Sequence, residues 1–126
     1  MKRFLFVWGM SLCLTTPAAA DQYDGIYRGL VAAAYSHMET AYRCRTLIGL
    51  SDYRDARVTA ENSLRLSGMP TDIAFHAVER MVTKMQATQP RELRALSLAD
   101  CFIHLRTTQT NLLAQEGKMQ SYWQRQ

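Results

Sequence analysis

Apolar residues in this chain return every three or four positions and almost never alternate with polar ones. That pattern excludes most folds at once. From Ile26, the series Leu30, Ala33, Ala34, His37, Met38, Ala41 and Cys44 or Arg45 follows one face of a helix, as 3.6 residues per turn requires. No run of Val, Ile and Thr alternates with polar side chains, so strand signals are nearly absent.

The punctuation divides the pattern into four helices. The first spans about Tyr23 to Ile48, with Gly49 as its stop. Ser51 or Asp52 caps the second, which runs to about Ser67 with Tyr53, Ala56, Ala60 and Leu64 inward. Its flank carries Arg54, Arg57, Glu61 and Arg65, neighbours one turn apart that suit a solvated face. Gly68 and Pro70 end it. Thr71 or Asp72 caps the third helix, to about Ala87, with a stripe of Ile73, Ala77, Val78, Met81, Val82 and Met85. Pro90 opens the fourth, from Arg91 to about Glu116. One side of it reads Leu93, Leu96, Ala99 or Asp100, Ile103, Thr107, Thr110 and Leu113, widened by Phe102 and Leu105. Gly117 is its stop, and the tail from about Lys118 is expected to be loosely held. The fold class is all-α, a compact bundle of about four helices in one domain over residues 21–126.

Ahead of that domain, residues 1–20 read as a secretory signal peptide. Lys2 and Arg3 precede an apolar run from Phe4 to Leu14, and Pro17-Ala18-Ala19-Ala20 supplies small residues before Asp21. The run is too short to span a bilayer, which takes roughly 20 apolar residues. After cleavage no stable membrane insertion is expected, and the compartment is the periplasm. Cleavage removes 20 of 126 residues and two positive charges, lowering the formal charge from +4 to +2. So small a charge, mixed in sign along the chain, does not predict nucleic-acid binding.

Cys13 leaves with the signal, so Cys44 and Cys101 remain, an even number in a compartment that permits oxidation. They lie 57 residues apart and allow one intramolecular pairing. The pairing would join the first and last long helices, and the chain-entropy account values it at about 4 kcal/mol.

Catalytic signatures are missing from the sequence: there is no Gly-x-Ser-x-Gly, no phosphate loop and no His-Glu-x-x-His. The chain reads as a binder rather than an enzyme, with no cofactor and no metal. His37, His76 and His104, with Met38, Met81 and Met85, would suit copper or zinc if the bundle brought them together. His76 and Glu79 also have the spacing of di-iron bundles, but the further inward carboxylates such sites need are lacking. The methionines read more simply as core filler. A periplasmic metal- or ligand-binding bundle and a small stress chaperone are therefore the alternatives to a protein-binding role. Tyr23, Tyr27, Tyr35 and Tyr42 on the first helix, and Tyr122 and Trp123 in the tail, tilt the reading toward protein binding.

Tyr42-Arg43-Cys44-Arg45, late in the first helix, and Leu98-Ala99-Asp100-Cys101-Phe102-Ile103-His104-Leu105, inside the last, bear a resemblance. The layout is similar to the periplasmic immunity proteins that neutralise type VI secretion amidase effectors of the fourth amidase family. The resemblance extends to the Ala/Leu-rich second helix and the loop before Pro90. It implies a dimeric helical inhibitor whose partner is a secreted amidase toxin, blocked by a protruding loop in its peptidase cleft. The equivalent stretch is Gln86, Ala87, Thr88, Gln89, Pro90 and Arg91, in which Pro90 would lower the ordering cost of binding.

Overall fold

The structure, a computed structural model, describes residues 17–92 and 97–126. Residues 1–16 of the expected signal, and Leu93 and Leu96 of the expected fourth-helix face, lie outside the described residues. The expected all-α architecture is present, as four helices: α1 (Pro17–Ile48), α2 (Ser51–Leu66), α3 (Thr71–Glu92) and α4 (Leu98–Gln124).

α1 is already helical at Pro17, the first described residue, six residues ahead of the expected Tyr23. Ala20, Asp21 and Gln22 are exposed, and Tyr23 is the first of these residues to pack. Gly49 ends α1 at φ +95°, with its N–H donating to the Arg45 carbonyl.

The turn into α2 is only Gly49 and Leu50, which leaves no room for a serine or aspartate cap. Leu50 takes the cap position in helical conformation without a side-chain hydrogen bond, and Ser51 and Asp52 fall inside the first turn. Asp52 still sets a negative charge at the positive end of the helix. At the far end, Gly68 at φ +100° donates to the Arg65 carbonyl and Met69 to that of Leu64, the paired bonds of a Schellman turn. Thr71 likewise stands inside α3, where the Pro70 carbonyl accepts from the Ala74 N–H.

α1 and α4 are antiparallel along nearly their whole length. Cys44 is bonded to Cys101, with Cα atoms 5.8 Å apart. His37 meets Thr108, Gly29 lies against the Gln115 side chain, and Tyr23 meets Tyr122. Steps of six to eight residues on α1 are answered by steps of seven on α4, a spacing that keeps one seam of each helix on the other. α2 also packs on α1, and α3 packs on α2. The core is Leu30, Ala33, Ala34, Met38 and Ala41 of α1, then Tyr53, Ala56, Ala60 and Leu64 of α2, joined by Val78, Val82 and Met85 of α3 and Leu112 and Met119 of α4. The alanines let α1 and α2 approach closely while Leu64 and Met38 fill the space between layers. Emptying the Leu64 site to alanine would cost about 2–5 kcal/mol.

Several expectations for the second half of the chain fail. α3 does not stop near Ala87 but runs to Glu92, so Pro90 opens no helix. α4 starts at Leu98, where the Ser97 hydroxyl accepts from the Asp100 N–H at 3.1 Å. The helix passes through Gly117 and continues to Gln124. Glycine costs only about 1 kcal/mol in a helix, and beyond it Met119 is fully buried and Tyr122 packs on the core. The expected inner side of α4 is also rotated away from the core. Ile103, Leu113 and Phe102 are 62%, 60% and 58% exposed, while the buried positions are Cys101, Leu112 and Met119. On α3, Ile73 is exposed and Ala74 is buried in its place.

Candidate partner-binding surface

The stretch expected to protrude as a loop is helical. Gln86, Thr88, Gln89, Pro90 and Arg91 all lie in the last turns of α3. Gln86 is exposed, and the Thr88 hydroxyl donates back to the Lys84 carbonyl at 3.0 Å, an ordinary helical bond. A contact made by these residues is made by a helix end, not by a flexible loop.

The three histidines do not converge. His37 is half-buried between α1 and α4, with Nδ1 2.9 Å from the Thr108 hydroxyl. Burial lowers its pKa below the ordinary histidine value, opposed by the charge of Asp52. His76 and His104 are exposed. Glu79 is engaged with Arg57 of α2 rather than with His76. Among the described residues, no three His, Cys, Asp or Glu side chains are grouped to hold a metal ion. Met38 and Met85 are wholly buried and Met81 is partly so, packed against the core.

Several of the aromatics are occupied with the fold. Tyr23 donates to the Ser67 carbonyl at 2.8 Å and the Trp123 indole donates to that of Leu66 at 2.8 Å. Both oxygens lie at the end of α2, where carbonyls have no partner within the helix. Tyr122 stacks obliquely between these two rings. Tyr53 packs edge-on against Tyr42, and its hydroxyl is buried without a hydrogen-bond partner. Burial pushes its pKa up.

Two of the surfaces formed by the described residues are free of such duties. The first is the outer side of α4, where Leu98, Phe102, Ile103 and Leu113 stand half or more exposed. The bridge from the fully buried Cys101 to Cys44 fixes the backbone beside Phe102. Leu47, one turn beyond Cys44, and Leu50 are exposed as well. The α4 side chains were legible in the sequence as apolar. Their spacing was assigned to the core, and the Ser97-x-x-Asp100 pattern that sets the true helix start was missed. The second surface is a groove of about 550 Å³ between α1 and α3. Tyr27, Val31, Ala77 and Met81 form its apolar floor, and Arg28, Arg80 and Lys84 stand along its walls. The Lys84 ammonium lies 5.6 Å from the centre of the Tyr35 ring, within cation–π range.

No protein family, curated protein or solved structure compared with this chain matches it.

Proposed function

We propose that this protein is exported and works in the periplasm as a protein-binding inhibitor, an immunity protein that neutralises a cell-wall-degrading amidase by covering its active site. The observation that supports this most is the outward apolar side of α4. A small domain that leaves Phe102, Ile103 and Leu113 more than half exposed presents the kind of surface that another protein covers. Holding that surface beside a disulfide gives it a rigid backing, so little conformational freedom is lost on contact. The resemblance of the cysteine layout to that of amidase-immunity proteins supplies the choice of partner. The last turns of α3, with Gln86, Thr88, Gln89, Pro90 and Arg91, would then enter the cleft as a helix end. A homodimer, which the same resemblance implies, would appear as a doubled mass in light scattering.

The test is inhibition. The purified, oxidised protein is titrated against the product of the adjacent gene, and hydrolysis of peptidoglycan stem peptides is followed. Full inhibition near equimolar protein is expected. The pair Phe102→Asp and Ile103→Asp should weaken it about 30-fold, the scale of a lost interface hot spot. Amidase activity that is unchanged by the wild-type protein would overturn the reading.

A further inference from the structure

The groove between α1 and α3 lies on a different side of α1 from the α4 seam, and its chemistry is not that of the α4 face. Its apolar floor is built by regular steps: Tyr27, Val31 and Tyr35 are four apart on α1, and Ala77 and Met81 are four apart on α3. At 1.5 Å per residue the stripe is about 12 Å long, or two helical turns. Cations stand on both walls, Arg28 on α1 and Arg80 and Lys84 on α3. Among the described residues they enter no ion pair, and no carboxylate lines the groove. The nearest acids on α1 lie one turn outside it: Asp24 before Arg28, and Glu39 beyond Tyr35, where it is paired with Arg43.

Three properties select the occupant. The site is a shallow trough between two helices, whereas an interfacial membrane site is an apolar face along one helix. Its length matches two turns of helix. Its positive charge flanks the floor on both sides, so a lipid with one headgroup would satisfy one wall and leave the other unmet. A helix with carboxylates on both edges of its apolar stripe meets both walls while its apolar side chains cover Val31 and Met81. We propose that the α1–α3 groove is a docking site for an amphipathic α-helix of a partner protein, with acidic residues on both sides of its apolar stripe. This site is separate from the α4 face and does not depend on an amidase being the partner.

Two fluorescein-labelled peptides test it by anisotropy with the full oxidised protein. One is helical with leucines at i, i+3, i+4 and i+7 and glutamates on both flanks, and the other has every glutamate replaced by lysine. The acidic peptide should bind and the basic one should not, and binding should fall as salt rises. Arg80→Glu with Lys84→Glu should weaken the acidic peptide about tenfold or more. Both residues are exposed, and circular dichroism will verify that the variant is folded. Phe102→Ser, on the α4 face, should leave the affinity unchanged. No binding of the acidic peptide, equal binding of the basic one, indifference to the α3 charge reversal, or equal sensitivity to Phe102→Ser would each overturn the proposal.

Discussion

Opening the Cys44–Cys101 bridge should destabilise the protein by about 4 kcal/mol without changing its folded architecture. The bridge closes a segment of 57 residues that contains all of α2 and α3. Releasing a loop of that length returns roughly 14 cal/mol/K of entropy to the unfolded chain, hence about 4 kcal/mol at 25 °C. A small domain has about 5–15 kcal/mol in total, so the reduced form should stay folded at room temperature but be close to its limit. Urea unfolding followed by circular dichroism reads this directly. With a slope of about 2 kcal/mol per molar, the midpoint should fall by about 2 M on reduction. Reduced wild type is the right comparison, because both sulfur atoms remain and no cavity opens. Both cysteines are fully buried, so reductant should act on native protein only as fast as the α1–α4 seam opens. Equal midpoints for the oxidised and reduced forms, at equal slopes, would refute the reasoning.

Tyr53→Phe should leave the protein as stable or make it more stable by about 1 kcal/mol, because it removes a buried hydroxyl that has no partner; a clear loss in thermal unfolding would show that the hydroxyl is bonded. His37 has a lowered folded pKa, so the unfolded chain takes up its proton first. That stability is present above about pH 6.5 and is lost as pH falls toward the folded value, and His37→Asn should flatten urea midpoints across this window. Deleting Lys118–Gln126 should unfold the protein, because Met119 is wholly buried and Trp123 bonds to Leu66; native ellipticity in the truncated chain would contradict the packing of the α4 end.

The first half of the fold was legible because its signals agree. On α1 and α2 the apolar period, Gly49 and Gly68 all point the same way, and most of the positions they pick out are buried, with Ile26 and His37 half-buried. The second half was misread where two signals compete. Pro90 resembles a helix start, yet the actual cap is Ser97 with Asp100 three residues on. Gly117 resembles a stop, yet burial of Met119 outweighs it. On α4 the apolar residues form two stripes, one for the core and one for the surface, and period alone does not say which is which. The stripe with Phe102, Ile103 and Leu113 is the outer one. The groove was harder to foresee, since Tyr27, Val31 and Met81 come together only through the way α1 and α3 are both held by α2.

Tyr23 and Trp123 grip the same end of α2 from opposite ends of the described chain. Residues 100 positions apart must therefore both be available before the carbonyls of Leu66 and Ser67 are covered. During synthesis, α1 and α2 can form an open hairpin before α4 has been made. Until then the hairpin exposes Leu30, Met38 and Leu64 and has no closed core to hold it. A chain built this way closes its core only once both ends of the bundle are present.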